Sequence, residues 1–330
     1  MDAQPAPVAD SPGRGVRWLK SILKLVVSAL LVAGILWKVP VKGALSALSA
    51  LSVWTVLAIV VLTFLFPVIA ALRWKRALGY AGARQAWWPL LVDTLVSCTY
   101  NMLLPTQLGG DVVRALRCAK RLPEGHHAWS SMIFERLMGV VALVLLAVPG
   151  LLMGPAAVRE IGVAVGIIAL LSVLLVVFAH TPFRLGARML VSRAPSIAGA
   201  GERIAADLAG PLATTRARVE MMAWSSLYQI VGLGILVVVV WDWGMPSMAW
   251  AVLGAIPLAL VLTLLPVSIA GIGVRESLFV VLLGRFGMSS DRALSLAVVW
   301  LASALLTALA GSALMALESI RPSRALPRAR

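Results

Sequence analysis

Residues 103–114 read LLPTQLGGDVVR, and residues 264–275 read LLPVSIAGIGVR. Each closes a long apolar stretch with Pro, opens the chain with Gly, and then sets Val-Arg. Pro266 follows Pro105 by 161 residues, and Gly271, Val274 and Arg275 follow Gly110, Val113 and Arg114 by the same interval. Leu and Val coincide easily in an aliphatic chain. Pro, Gly and Arg in register do not, and they mark an internal repeat.

The stretches around the two motifs identify the solvent. Hydrophobic residues form 61% of the 330-residue chain and charged residues 13%, with a mean hydropathy of +0.95. Runs long enough to cross a bilayer core of roughly 20 residues recur: 19–39, 51–72, 130–153, 162–179, 221–241 and 292–317. Two more apolar stretches, 86–105 and 248–266, end in the quoted motifs. Backbone groups in lipid must be satisfied within the segment, so spans of this length are helices. The expected fold is an all-α polytopic membrane bundle of about six full spans plus two re-entrant broken-helix segments. Its parts are an N-terminal tail (1–18), repeat 1 (19–154, with its re-entrant motif at 86–121), repeat 2 (155–317, with a connector at 181–220 and its motif at 248–286), and a basic C-terminal tail (318–330). The segment 19–39 follows a basic region and fits the span count as a retained signal-anchor rather than a cleaved leader.

Charge sets the expected orientation. If both motif segments enter and leave on one face, only Lys38, Lys42, Arg159, Arg275, Arg285 and Arg292, of 29 basic residues, lie opposite the termini. The positive-inside rule then puts both termini in the cytoplasm. Three crossings per repeat make the second repeat inverted, an arrangement common in secondary transporters. The net charge of +15 reads as positive-inside bias and attraction to anionic lipid, and needs no nucleic-acid partner.

A break inside a membrane is tolerated where it is buried in protein or lines a wet cavity. Pro105 and Pro266 end the first half-helices by removing a donor. Gly109 and Gly110 in the first copy, and Gly271 and Gly273 in the second, give the backbone freedom to turn. The second half-helices then present free N–H groups, with Arg114 or Arg275 one turn along. That combination suits phosphate or carboxylate. Asp111 shares a face with Arg114 but aligns with Ile272, so it either contacts a cationic part of the substrate, carries a proton, or caps its helix.

Asp93, Asn101, Gln107, Glu135, Arg136 and Ser268 are the further intramembrane polar residues, and charge at such depth is a functional candidate by default. Some of these, and Glu276, have a plainer alternative. Glu135-Arg136 is either a functional pair or a structural one near a span end. Glu276 either neutralises Arg275 or leaves it free for a ligand. Asp93 is either a proton site or hydrogen-bonded to a neighbouring helix. The breaks themselves are ligand sites or simple kinks, though a kink does not explain a repeated Arg.

Other features read as structural. Cys98 and Cys118 form no motif. His126, His127 and His180 have no metal-ligand companions at useful spacing, so no metal and no cofactor is expected. Tryptophans such as Trp54, Trp87, Trp88 and Trp241 fall near segment ends, as an interfacial belt does. The stretch 199–220 has the pattern of an amphipathic connector lying on the membrane surface.

The runs NMLLPTQLGGDVVRALRCAKR from Asn101, FERLMGVVALV from Phe134 and LPVSIAGIGVRE from Leu265 resemble the flippase-like family that includes the transmembrane region of lysylphosphatidylglycerol synthases. The similarity runs over roughly residues 21–317, here without the soluble aminoacyl-transferase domain of the synthases. It implies a multi-pass protein of the bacterial cytoplasmic membrane that moves an anionic or polyprenyl-type lipid between leaflets, with membrane lipids as its partners. Homo-oligomerisation and a separate lipid-synthesising enzyme are both compatible with it. Transport of a soluble anion is the alternative. An enzyme is not expected, because no nucleophile–base pair or acidic metal cluster accompanies the motifs.

Overall fold

The structure is a computed structural model of the full chain, and it describes residues 46–104, 109–178, 195–263 and 273–320. The predicted span 19–39, the motif residues Pro105, Gln107, Pro266, Ser268 and Gly271, and His180 lie outside the described residues. Among the described residues every regular element is helical. In chain order these are α1 (Val53–Tyr80), α2 (Trp87–Leu103), α3 (Gly109–Ala119), α4 (His126–Leu152) and α5 (Ala156–Phe178). They are followed by α6 (Pro195–Ala213), α7 (Thr215–Asp242), α8 (Met248–Leu262), α9 (Val274–Arg285) and α10 (Ser290–Ile320).

Four of these, α1, α4, α7 and α10, are long and apolar enough to cross a membrane. The 28 residues of α1 rise roughly 42 Å at about 1.5 Å per residue, more than the hydrocarbon core of about 30 Å. Val53, Trp54, Leu57 and Val61 of α1 point outward, as do Ile161, Val163, Ile167, Ile168 and Leu171 of α5. Apolar side chains on the rim match a lipid surround. The chain is a polytopic helical membrane protein, as its composition requires.

The helices pack as two interlocked halves. The most extensive contacts are α4 on α8, α1 on α7 and α2 on α10. Under the 161-residue correspondence α1 matches α7, α2 matches α8, α3 matches α9 and α4 matches α10. The last long helix of each half therefore lies on the broken segment of the other, and α1 and α7 meet each other. This reciprocity is that of a pseudo-two-fold. The largest core cluster unites α7, α8, α9 and α10 through Leu236, Val239, Val252, Ile256, Phe279, Leu283 and Leu296.

Two segments differ from expectation. The connector 181–220 divides at Thr214, and α7 begins at Thr215. The apolar face of α6 does not lie on a lipid surface: Leu208 and Leu212 are buried against Phe134, Met138 and Met221. Protein packing supplies the apolar partner that a membrane surface would otherwise provide. α1 also runs past its apolar stretch to Tyr80, carrying Arg73 and Trp74 into the bundle, where both are buried.

Candidate functional site: a cavity between the two breaks

The first break is built by a close approach. α2 ends at Leu103 and α3 starts at Gly109. The Gly110 N–H donates to Oδ1 of Asn101 at 2.9 Å, so a side chain from the end of α2 satisfies a free N–H at the start of α3. A Cβ on Gly110 would lie 2.2 Å from the Ser97 carbonyl oxygen. Gly110 is thus required for proximity rather than for a left-handed turn.

The second break uses the other property of glycine. Gly273 has φ +84°, a conformation that favours Gly, and its N–H donates to Oε2 of Glu276 at 2.6 Å. Glu276 Oε1 accepts from Nη2 of Arg275 at 2.8 Å. Arg275 and Glu276 are both buried. Glu276 does neutralise Arg275, and it holds the first turn of α9 at the same time.

A cavity of about 320 Å³ is lined by residues that flank both breaks. α2 contributes Thr94, Ser97, Cys98, Asn101 and Met102, α3 contributes Asp111 and Arg114, and α4 contributes Glu135, Arg136, Gly139, Val140 and Leu143. Arg275 of α9 lines it with Leu260 of α8 and Trp300, Ser303, Ala304 and Thr307 of α10. The floor comes from Thr63, Phe66, Pro67, Ala70 and Arg73 of α1 with Tyr228, Gln229 and Ile235 of α7. Arg114 and Arg275, 161 residues apart, share one cavity.

Its charges form an alternating chain. Nη2 of Arg73 lies 2.5 Å from Glu135 Oε1, and Nη2 of Arg114 lies 3.2 Å from Glu135 Oε2. Nε of Arg114 is 3.0 Å from Asp111 Oδ1, and Nη2 of Arg136 is 2.9 Å from Asp111 Oδ2. Tyr228 lies under the Arg73 guanidinium at 4.2 Å and Trp74 under that of Arg114 at 4.8 Å, and Phe66 stacks on Tyr228. Aromatic faces stabilise a guanidinium that has lost water. Burial of unpaired charge is costly; Asp111 and Glu135 contact three of the four lining arginines and Glu276 pairs with the fourth, so three carboxylates stand against four guanidinium groups. The lining keeps a surplus of positive charge. Nη1 of Arg73 has no hydrogen-bond partner, nor do the hydroxyls of Thr63 and Ser303, so donors remain for a ligand.

Most of the sequence candidates among the described residues converge here: Asn101, Asp111, Arg114, Glu135, Arg136 and Arg275 line the cavity. Glu135 and Arg136 lie in the third turn of α4, well inside the helix. Asp93 stands apart. It is fully buried on α2, with Nε of Arg117 2.7 Å from Oδ1 and Nη2 of Arg121 against Oδ2. Arg117 also reaches Glu318 at 2.8 Å, so Arg117 ties α3 to both α2 and α10. Sequence reasoning missed Arg73, Trp74 and Tyr228. Arg73 followed an apolar run and passed for a loop cation; an acidic residue on a distant span, Glu135, was its available signal.

Residues 21–311 match the model of the lysylphosphatidylglycerol synthase transmembrane region. The chain belongs to this family. No curated protein matches it. Membership in the lysylphosphatidylglycerol synthase transmembrane family associates the chain with lipid-related function in a membrane. The matched region contains both Pro-Gly breaks and every residue of the cavity lining.

Proposed function

We propose that this protein is a lipid flippase of the bacterial cytoplasmic membrane, moving a phosphate-bearing lipid or lipid-linked head group between leaflets. Access alternates between the two halves, which are inverted relative to each other, and the two breaks are re-entrant. Transport involves no covalent step. One observation carries the proposal: Arg114, in the second turn of α3, and Arg275, in the first turn of α9, follow corresponding breaks and line the same cavity. Guanidinium forks match phosphate oxygens in pairs, and an arriving phosphate competes with Glu276 for Arg275 and with Asp111 and Glu135 for Arg114. The same cavity has apolar walls from Phe66, Met102, Leu143, Ile235, Leu260 and Trp300, and Leu103 beside Met102 is 70% exposed. A lipid needs both surfaces together, and a soluble anion needs only the charged one.

The test is reconstitution into liposomes holding fluorescent phosphatidylglycerol, phosphatidylcholine or a polyprenyl phosphate, with outer-leaflet quenching. An anionic lipid is expected to exchange faster than in protein-free liposomes, with phosphatidylcholine unchanged. Arg114→Lys and Arg275→Lys keep the charge but lose the fork and should slow exchange by about tenfold or more, corresponding to at least about 1.4 kcal/mol in the barrier. Release of entrapped inorganic anion without lipid exchange would instead identify a soluble-anion carrier.

A further inference from the structure

The start of α4 and the middle of α6 bring together a second cluster, away from the cavity. Glu124, His126 and His127 place one donor atom each within 4.8 Å of one another. Asp207, 80 residues beyond His127, adjoins the group through the two histidines. Nδ1 of His127 is 2.9 Å from Asp207 Oδ2, and Nε2 of His126 is 3.6 Å from the same oxygen. Nε2 of His126 is 3.2 Å from Glu124 Oε2. Sequence spacing left these histidines without metal-ligand companions; the packing of α6 on α4 supplies one.

We infer that Glu124, His126, His127 and Asp207 form a binding site for a divalent cation of the zinc class, which fastens α6 to the start of α4. Tetrahedral zinc has bonds of about 2.0–2.1 Å to imidazole nitrogen and carboxylate oxygen, which puts neighbouring donors roughly 3.3 Å apart. The four distances, from 2.9 to 3.7 Å, bracket that value, with His127 facing Asp207 through Nδ1 and Glu124 through Nε2, so the ring would commit one of the two nitrogens to the ion. Two imidazoles with two carboxylates suit zinc better than calcium, which takes oxygen, or copper(I), which takes sulfur.

The surroundings hold the donors in place, as outer partners of metal ligands do. Ser130 Oγ donates to Asp207 Oδ2 at 2.7 Å. Gly82 packs its backbone on the His127 ring: a Cβ there would stand 3.4 Å from Cε1. Both histidines and Asp207 are mostly shielded, while Glu124 stands at the outer edge. Behind them Leu208 and Leu212 anchor α6 in the apolar core. None of the four residues lines the cavity, so the site is independent of the transport reading.

The test uses the full chain in detergent, free of affinity tag, stripped with a chelator and titrated with Co²⁺ and then Zn²⁺. Stoichiometric Co²⁺ binding with intense visible bands of tetrahedral type is expected, followed by displacement by Zn²⁺ and a rise in thermal midpoint. Asp207→Asn and His126→Ala should each weaken Zn²⁺ binding by about tenfold or more. If either fails to fold, Glu124→Gln, at the exposed edge, provides the same comparison. Absence of stoichiometric binding by the wild-type chain, or unchanged affinity in folded variants, would overturn the site and leave a plain histidine–carboxylate clamp.

Discussion

Gly150 of α4 and Gly311 of α10, separated by the same 161 residues as the two motif prolines, each bring the backbone of a long helix against a broken segment of the other half. A Cβ on Gly150 would lie 2.3 Å from the Gly254 nitrogen of α8, and one on Gly311 would lie 2.1 Å from the Leu95 carbonyl oxygen of α2. In both places the obstacle is backbone, which cannot step aside as a side chain can. Gly150→Leu and Gly311→Leu should each destabilise the protein by roughly 1–3 kcal/mol or more through overpacking, measured as a lower thermal midpoint in detergent. Gly284→Ala meets nothing within 4 Å and should leave the midpoint unchanged or slightly raised.

Glu135 is the one carboxylate shared by Arg73 and Arg114. Glu135→Gln leaves Arg73 without its carboxylate and Arg114 with Asp111 alone, and breaking such a pair costs about 3–5 kcal/mol. Arg73→Met combined with Glu135→Gln removes the stranded cation. The double variant should therefore melt above the single Glu135→Gln variant. Equal melting would mean that Arg73 and Glu135 do not interact in the folded protein.

Asp111 holds Arg114 on its own helix and Arg136 on α4. Asp111→Asn keeps the shape but removes the charge that orients both arginines. Lipid exchange should fall about tenfold, or about 1.4 kcal/mol in the barrier, with the elution profile of a folded protein retained. Near-normal exchange by a folded variant would leave Asp111 with a local structural role only.

The proposed inversion of the second half predicts that the ends of α3 and α9 emerge on opposite faces. Lys120→Cys and Ser289→Cys, each exposed after its half-helix, on a background with Cys98 and Cys118 replaced by Ala, should react with a membrane-impermeant maleimide from opposite sides of oriented vesicles. Labelling of both from one side would refute the inversion.

The helical membrane fold was legible because it rests on chain-local physics. Apolar runs of spanning length leave the backbone no other way to satisfy its hydrogen bonds in lipid, and α1, α4, α7 and α10 lie where those runs are. The repeated Pro-Gly-Arg was legible for the same reason, since each break is written within a dozen residues. Arg114, Arg275, Asp111 and Glu135 could be picked out because charge is rare in such surroundings. What they pair with was not legible. Glu135 meets Arg73 across 62 residues, Asp207 meets His127 across 80, and Tyr228 comes under Arg73 from the other half. Those meetings depend on which helix faces lie together, and that is decided by where glycines such as Gly110, Gly150 and Gly311 let backbones touch. The amino-acid sequence by itself determined the solvent, the helices and the two breaks; only tertiary packing decided that Arg114 and Arg275 line one cavity and which side chains neutralise them, because side-chain pairing follows helix contact rather than sequence distance.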